Sequence, residues 1–375
     1  MSIMIAETLA EPVAARRSAV RLELTDPALF ESTVSSFDGV SQEQLVSFAM
    51  HRWPQVRLEP VLIWSGEEMI GACLVMIQRL PLGLAQVAVA KWGPFLRSVD
   101  GDALRRYGMM VEGLIGDYAH RRGMMLSLLP LPSLDAGNAE FDFLMRRGFR
   151  RGAQMPWNDR YIVRLDPSEQ VRRQSLGQTW RRQLGKAEKA GLSFERAAPE
   201  RLPEFTAIYE RMIDRKGFED RSAYQQTISA LMAMQDSALR PELFLVSEGG
   251  EVIAGAIIFK AGDRAVYLYG ATTERALPLR AGYYLHWRIM AWLTANCPAR
   301  WYDLGGTDGF SGLHQFKKGM VGETGVIRPV PPTANFATRR LPMLFGEGAF
   351  FARDQLARLR ARWRKGAQAS EERSA

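Results

Sequence analysis

Residues 244–259 read FLVSEGGEVIAGAIIF and residues 61–76 read VLIWSGEEMIGACLVM, two stretches with one pattern of strand, tight turn and strand. Acidic and glycine residues mark both turns, and β-branched residues recur in the arms, as is typical of β-hairpins. Because the same pattern occurs twice, we expect two related units in this chain of 375 residues.

The segments after each hairpin also follow one order: a strand, a long amphipathic helix and a buried closing strand. These elements are predicted at residues 85–90, 102–122 and 124–129 in the first unit and at 265–269, 280–295 and 301–304 in the second. The order is similar to the core of the fold named after Gcn5-related acetyltransferases (GNAT). We therefore expect an α/β (α+β) protein of two tandem GNAT, or acyl-CoA N-acyltransferase-like, domains with mixed sheets flanked by helices.

The boundaries of these units are predicted from the segments between them. The Pro-rich stretch at residues 329–332 is a poor helix or central strand, so the fold is expected to be complete there. The predicted organisation is a disordered leader at 1–20, a first domain at 21–166, a second domain carrying the active site at 167–335 and a basic helical tail at 336–375.

Two helices have recognisable ends. One is predicted over residues 169–190, with Gly191 as its C-cap. The other is predicted to run to about Trp53, with Ser41 and Gln44 as a capping box at its beginning.

Composition restricts the class of protein. Hydrophobic residues make up 47% and charged residues 24%, the profile of a globular protein. No apolar run reaches 18 residues, and acidic residues precede the first arginines, unlike in a secretory signal. These features predict a cytoplasmic protein. The net charge of +8 favours an anionic partner, such as nucleic acid, nucleotide-linked sugars or acidic lipids, over a merely solubilising surplus of arginine.

Cysteine and histidine usage disfavours several chemistries. Cys73 and Cys297 lie within apolar patterns, which favours buried core thiols over nucleophiles or a disulfide. The four histidines have no metal-binding spacing, so we expect no metal.

A basic helical face is the first candidate for substrate binding. Arg182, Lys186 and Lys189 recur at helical spacing, where like charges repel unless an anion neutralises them. A solvated basic face is the alternative.

The second candidate is the stretch from Trp301 to Lys318, read as a buried strand, a Gly-rich loop and a short helix. Tyr302 and Asp303 end the strand, and Phe316 and Lys317 lie on the helix. An ammonium at this place can stabilise the oxyanion that forms when an amine attacks an ester or thioester. The alternative is that Asp303 caps the loop and Lys317 is solvated.

Two tyrosines of the preceding strand form the third candidate. Alternation predicts that Tyr267 and Tyr269 share one face, either in the core or as a wall of the site.

Together these segments resemble the Fem family of peptidoglycan-bridge aminoacyltransferases and related Fem-like acyltransferases. The resemblance covers roughly residues 40–330 and depends on the order and spacing of seven short motifs. They are Lys91–Pro94, Gly148–Phe149, Arg182–Ala187, Arg215–Phe218, Tyr267–Ala271, Tyr302–Gly306 and Gly312–Lys317.

The resemblance implies transfer of an amino acid from aminoacyl-tRNA to a peptide amine of a nucleotide- or lipid-linked cell-wall precursor, without cofactor or metal. It implies that Phe316 and Lys317 lie at the reacting ester. It also implies that Arg182, with neighbouring Arg181, contacts precursor phosphates and that Tyr269 lines the pocket. Asp303 is the candidate general base. The coiled-coil arm of bridge-forming members has no counterpart in the sequence pattern.

Two other functions remain open. One is acyl transfer from coenzyme A or a carrier protein to an amino sugar, polysaccharide or lipid amine. The pyrophosphate loop of coenzyme A enzymes is not matched at residues 279–284 or 97–102, which disfavours coenzyme A itself. The other is a non-catalytic RNA- or membrane-associated module. A basic helix predicted at 348–366 is either docked on the fold or in contact with the inner face of the membrane.

Overall fold

The computed structural model describes residues 20–80, 85–155, 158–217, 222–352 and 355. The predicted leader, apart from residue 20, lies outside these residues, as does most of the predicted basic tail.

The first half contains seven short or medium strands and four helices. In chain order they are β1 (Val20–Leu24), α1 (Pro27–Val34), α2 (Val46–Arg52), β2 (Arg57–Ser65), β3 (Glu68–Arg79), β4 (Gln86–Lys91), β5 (Phe95–Leu96), α3 (Ala103–Leu114), which continues as a π-helical stretch (Ile115–Arg121), β6 (Met125–Leu129), α4 (Ala139–Arg146) and β7 (Arg150–Arg151).

The second half repeats this plan. Its elements are β8 (Asp159–Arg164), α5 (Glu169–Ser175), α6 (Gln178–Ala187), β9 (Ser193–Ala197), α7 (Leu202–Lys216), α8 (Tyr224–Met232), β10 (Glu242–Glu248), β11 (Glu251–Phe259), β12 (Arg264–Thr272), α9 (Ala281–Asn296), β13 (Trp301–Asp303), α10 (Ser311–Val321), β14 (Val326–Pro329) and β15 (Ala334–Phe336). Residues 340–352 form a further helix, α11.

The strands form two mixed sheets, which confirms the predicted fold class. One has the order β1-β2-β3-β4-β6-β15-β7, with β5 added beside β3, and the other has the order β9-β10-β11-β12-β13-β8-β14. In each sheet one central pair is parallel, β4 with β6 and β12 with β13, and the other neighbours are antiparallel.

Both predicted hairpins are present, as β2–β3 and β10–β11. Their two-residue turns require positive φ angles, which are 61° at Gly66, 57° at Gly249 and 87° at Gly250. Glycine adopts these angles without the steric cost that a Cβ atom brings, and the turns fix the register of the repeat.

Two strands lie in sheets other than those expected from the predicted domain boundaries. β8 follows the first half in sequence but pairs with β13 and β14 in the second sheet. β15 follows the second half but pairs with β6 and β7 in the first sheet. The boundary predicted after residue 166 therefore does not match sheet membership. The prediction that the fold is complete after residue 332 is wrong, because β15 returns to the first sheet.

The helix predicted over residues 169–190 is two helices. Leu176 and Gly177 are extended, with ψ angles of 146° and 144°. The Gly177 amide donates to the Gly319 carbonyl oxygen at 2.8 Å, and a Cβ atom on Gly177 would lie 3.2 Å from the Gly319 Cα atom. The close approach of α10 explains the break. Gly191 has a φ angle of 66° but comes after α6 has ended at Ala187.

The predicted capping box is also wrong. Ser41 makes no capping hydrogen bond, and residues 42–44 form a single 3₁₀ turn before α2. Gln44 is fully buried. Its amide accepts from the Leu74 backbone N–H at 2.6 Å and donates to the Lys91 carbonyl oxygen at 2.6 Å. Gln44 thus connects β3 to the end of β4.

Candidate functional site

The second sheet opens at the parallel pair β12–β13. The two strands are paired only at Arg264 with Trp301, Ala265 with Tyr302 and Val266 with Asp303. β12 continues to Thr272 while β13 ends, so the strands part beyond the third pair. Helix α9 lies against β11 and β12, and α10 follows the loop that leaves β13. This opening holds the residues predicted from the stretch 301–318.

Lys317 points from α10 towards the end of β13 and is only 5% exposed. Its Nζ atom donates to the carbonyl oxygens of Leu304 and Gly306, both at 2.5 Å. Burial, with the guanidinium of Arg160, lowers the pKa of Lys317 to about 8. An ammonium has three N–H donors, so one remains for a ligand. The alternative of a solvated Lys317 is wrong.

Asp303 is occupied by partners from two elements. Its carboxylate accepts from the Arg160 guanidinium at 3.1–3.2 Å and from the Gly305 backbone N–H at 2.9 Å. Gly305 has a φ angle of 75°, which turns the chain sharply after the strand. Asp303 therefore fixes the loop whose carbonyls hold Lys317, as the alternative interpretation of loop capping expected.

Arg160 was not predicted as a site residue. It lies on β8, outside the stretch that carried the sequence prediction, and it reaches Asp303 because β8 pairs with β13. The one available signal was an arginine next to the apolar run 161–163 at the end of the first half.

An aromatic cluster lies beside Lys317. It consists of Trp180, Tyr267, Tyr283, His286, Tyr302 and Phe316. The Lys317 Nζ atom lies 5.7 Å from the centre of the Tyr267 ring, and Phe316 contacts Tyr283 with ring centres 4.9 Å apart. An ammonium beside apolar rings has a stronger electrostatic effect than one in water.

His286 is a neutral group in this cluster. It is 4% exposed, and burial together with the charge of Lys317 lowers its pKa to about 3. Its Nδ1 atom and the Tyr302 hydroxyl are 3.0 Å apart. Tyr302 is completely buried, so it lies behind His286 and supports the site through its contact with His286.

Tyr267 and Tyr269 do not share a face, contrary to the prediction. A β-bulge places Tyr269 opposite Ile257 and Tyr267 opposite Ile258, so Leu268 is the extra residue. Tyr267 therefore joins the core that contains His286, and burial raises its pKa to about 12. Tyr269 packs on the opposite face of the sheet with Tyr209 and Tyr224.

The basic residues of α6 lie at the surface next to this site. Trp180 on the same helix packs against Tyr283 and Phe316, with ring centres 5.1 and 6.0 Å apart. Arg182 and Lys186 are exposed, and in the described part of the chain neither forms a hydrogen bond or an ion pair. Arg181 differs, because its guanidinium donates to the Gln174 carbonyl oxygen.

The first turn of α9 lies within residues 279–284, the segment compared above with the pyrophosphate loop of coenzyme A enzymes. Its backbone N–H groups are largely used within the chain. The amide of Ala281 donates to Ala276 at 3.1 Å, and that of Tyr283 donates to Arg280 at 2.9 Å. In the first half, the corresponding helix α3 is preceded by Asp100 and Asp102, whose pKa values are lowered by hydrogen bonds and arginine neighbours.

The cysteines fit the predicted core roles. Cys73 is buried in the first half, and burial raises its pKa. Cys297 is half-buried in the second, with its pKa raised to about 11 by burial. Across the described ranges, no three His, Cys, Asp or Glu side chains come together as a metal site.

Comparison with known proteins agrees with this arrangement. A family model for the acetyltransferase (GNAT) domain matches residues 172–318, from α5 to just past Lys317. The crystal structure of FemX is similar over 84% of this chain and 97% of FemX, with a TM-score of 0.69 and 16% identity. Residues 172–318 therefore form a GNAT-type acyltransferase domain, within a chain whose fold is similar to that of FemX.

Other solved structures share the fold of this acyltransferase. L-PGS from Bacillus licheniformis is 15% identical, with a TM-score of 0.52, over 87% of this chain and 96% of that one. The C-terminal domain of a putative lysylphosphatidylglycerol synthetase from Agrobacterium fabrum is 12% identical, with a TM-score of 0.50, over 86% and 97%. No curated protein sequence gives a significant match. Within the described residues of the acyltransferase, no helix has the length and apolar character to cross a membrane.

Proposed function

We propose that this acyltransferase moves an amino acid from aminoacyl-tRNA to the peptide amine of a nucleotide- or lipid-linked peptidoglycan precursor. The observation that carries the proposal is the buried ammonium of Lys317, fixed by two carbonyl oxygens at the opening of the second sheet.

The proposed chemistry follows from the position of this ammonium. When the acceptor amine attacks the aminoacyl ester, negative charge develops on the carbonyl oxygen. The third N–H of Lys317 would donate to that oxygen, in surroundings that the aromatic cluster keeps dry. The ester C–O bond to the tRNA ribose then breaks, and the proton released by the attacking amine passes to the departing ribose oxygen, which leaves as a hydroxyl. Phe316 would pack against the ester, and Asp303 would act as a positioning residue for the loop that holds Lys317.

The donor assignment is supported by the first turns of α3 and α9. Coenzyme A enzymes of this superfamily offer free backbone N–H groups to the pyrophosphate. Here the amides of Ala281, Tyr283 and Tyr284 in the first turn of α9 donate to chain carbonyls, and α3 begins with two carboxylates. An acyl donor carried by coenzyme A or a carrier protein, transferred to an amino sugar, polysaccharide or lipid amine, is the alternative.

Two of the fold neighbours are consistent with aminoacyl chemistry. FemX shares the fold over most of both chains, and lysylphosphatidylglycerol, named in another neighbour, is an aminoacylated lipid. The exposed cations Arg182 and Lys186 would contact the phosphates of the precursor, with Arg181 held to the α5–α6 turn beside them.

Donor choice tests the proposal directly. The purified protein is incubated with labelled aminoacyl-tRNA and, separately, with labelled acetyl-coenzyme A. Each donor is offered a nucleotide-linked muropeptide and a panel of amino sugars. We expect label to pass from tRNA to the muropeptide amine. Transfer from coenzyme A alone would refute the aminoacyl assignment and establish the alternative.

We also propose a cytoplasmic location with contact at the inner face of the membrane. The outward face of α11 carries Leu341, Leu344 and Phe351, which are 63%, 66% and 65% exposed. Its opposite face packs on the first half through Met343. The net charge of residues 339–375 is +5, which complements anionic lipid. The basic helix predicted at 348–366 lies mostly outside the described residues.

A vesicle flotation assay tests this contact. The wild type should float with vesicles containing phosphatidylglycerol more than with neutral ones. Leu344→Glu should abolish flotation, and Leu277→Glu, at another exposed leucine, should leave it unchanged. Equal flotation of the wild type and Leu344→Glu would contradict the proposal.

A further inference from the structure

The turn that follows β13 leaves an open space between two cations. Gly305 has a φ angle of 75°, and a Cβ atom built on it would lie 3.8 Å from the Lys317 Nζ atom and 3.9 Å from the Arg160 Nη1 atom. Apart from Gly305 and its two neighbours in the chain, no other described atom lies within 4 Å of that position. The two cations therefore face one space, which a glycine at position 305 leaves open.

The guanidinium of Arg160 is held beside this space by two contacts. Its Nε atom donates to both carboxylate oxygens of Asp303, at 3.1 and 3.2 Å, and its Nη2 atom lies 3.1 Å from one of them. Its Cζ atom lies 6.0 Å from the centre of the Trp92 ring, within the range of a cation–π contact. Among the residues that the structure describes, Nη1 has no hydrogen-bond partner, so its N–H groups remain for a ligand.

The ammonium of Lys317 also keeps one donor. Two of its N–H groups donate to the carbonyl oxygens of Leu304 and Gly306. The third has no partner in the described part of the chain. Each of the two cations thus has an unused N–H donor next to the space beside Gly305.

The charge of this group is not balanced. Lys317 and Arg160 are both cations at pH 7, and the one ion pair that either forms within the described ranges is that of Arg160 with Asp303. Asp308, whose charge also acts on Lys317, is exposed. Lys317 is 5% exposed and the Arg160 side chain 21%. Because buried charges are normally paired, the excess of one positive charge indicates that a monoanion completes the group.

We propose that Arg160 is a second catalytic donor, which binds one oxyanion together with Lys317 in the space beside Gly305. In the proposed reaction this oxyanion forms when the amine nitrogen bonds to the ester carbon and the electron pair of the C=O bond moves to oxygen. The pair returns when the bond from that carbon to the ribose oxygen breaks and the amine proton passes to the ribose oxygen. Two donors aimed at one developing oxyanion stabilise it more than either donor alone. The identification of the anion as this intermediate rests on the proposed function, whereas anion binding itself does not.

Binding of a small tetrahedral monoanion tests the proposal. The probe is methyl methylphosphonate, and dimethyl methylphosphonate is its uncharged counterpart. In titrations of the full chain at pH 7, followed by phosphorus NMR, the wild type should bind the monoanion at least about tenfold more tightly than the diester, as expected for hydrogen bonds between charged groups. Arg160→Gln and Lys317→Met should each lower the affinity for the monoanion about tenfold or more, and neither should change that for the diester.

Two control variants separate a donor role of Arg160 from a structural one. Arg164→Gln removes an exposed guanidinium from the same strand and should leave binding unchanged. Asp303→Asn removes the carboxylate, but its amide oxygen can still accept from the Gly305 N–H, so the monoanion should bind at least as tightly as to the wild type. If Asp303→Asn weakened binding as much as Arg160→Gln, Arg160 would act only by holding Asp303, and the proposal would be overturned.

Equal affinity of the wild type for the two phosphonates would also overturn the proposal, and so would a preference for the monoanion that survives in Arg160→Gln. If Arg160→Gln does not fold, Gly305→Ala places a methyl group in the space between the cations and should abolish the preference. An unchanged preference in a folded Gly305→Ala variant would contradict the proposal in the same way.

Activity separates this inference from the proposed function. In the transfer of labelled amino acid from tRNA, Arg160→Gln should lower kcat about tenfold or more and change the KM for the acceptor little. A wild type that binds the monoanion through both cations but transfers no label from aminoacyl-tRNA would refute the proposed function alone. A protein that transfers the label and keeps its kcat in Arg160→Gln would refute the second donor alone.

Discussion

Replacing Lys317 by methionine should reduce kcat by about 10²–10³-fold while the KM for the acceptor changes little. Loss of one donor to a developing oxyanion costs about 3–4 kcal/mol in enzymes that depend on such a donor. Methionine retains the apolar length of the side chain and removes the ammonium. The interaction is made mainly in the transition state, so the loss belongs to kcat.

The fold should survive this substitution because two effects oppose each other. The fall of the Lys317 pKa from 10.5 to about 8 corresponds to about 3 kcal/mol of unfavourable charge burial, which methionine relieves. The carbonyls of Leu304 and Gly306 lose their donor, at about 1–3 kcal/mol each. The free energy of unfolding should therefore change by no more than about 3 kcal/mol, which urea denaturation measures.

The pH dependence of the wild type provides an independent check. Lys317 is the active cation only while protonated, and its pKa is about 8, so kcat should fall as the pH rises through 8. Arg160, Asp303 and Asp308 are the charged groups that influence the pKa of Lys317. His286 is neutral throughout, since its pKa is about 3.

The assay is single-turnover transfer of labelled amino acid from tRNA, corrected for spontaneous ester hydrolysis at each pH. Lys318→Met is the matched control, because Lys318 is the exposed neighbour of Lys317 on α10, and it should keep wild-type turnover. A folded Lys317→Met variant with turnover within threefold of the wild type would remove Lys317 from the mechanism.

Three further predictions concern the fold and the acceptor. Gly322→Ala should destabilise the protein by more than about 2 kcal/mol, because Gly322 has a φ angle of 60° and an added Cβ would lie 2.3 Å from the Ser175 carbonyl oxygen. Urea denaturation measures this, and an unchanged midpoint of unfolding would contradict it. Gln44→Leu should cost about 2–4 kcal/mol by leaving the Leu74 amide and a β4 carbonyl unpaired, and a loss below 1 kcal/mol would argue against it. Arg182→Ala should raise the KM for a nucleotide-linked acceptor about tenfold with kcat nearly unchanged, and the reverse pattern would refute a phosphate contact.

The elements of the fold were predictable wherever the signal is local. The two hairpins depend on turn glycines such as Gly66 and Gly249, and both form at the predicted residues. The break at Gly177 was not predictable, because the extended backbone there depends on contact with Gly319, far away in the sequence. The sheets that β8 and β15 join were missed for the same reason, because the sequence pattern of a strand does not indicate which sheet the strand will join.

The site was predicted only in part, and the errors have similar causes. Lys317 and Phe316 lie at the sheet opening, as expected from the order of the strand, loop and helix. Tyr269 was misplaced because one extra residue in a strand reverses the face of those that follow, and alternation cannot reveal a bulge. Arg160 was missed because its contact with Asp303 depends on the pairing of β8 with β13.

The return of β15 to the first sheet determines where the gene can be divided. Every strand of the second sheet falls within residues 159–329, one uninterrupted segment, while the first sheet is built from residues 20–151 and 334–336. The ends of the first-sheet segments are adjacent, since the Gly152 amide donates to the Thr333 carbonyl oxygen at 2.7 Å and the Thr333 amide to Ala153 at 3.0 Å. In this sense the second domain is an insert spliced into the first. Chimeras with related enzymes should therefore exchange residues 159–329 as a cassette, because a single crossover near residue 166 would separate β8 from its sheet.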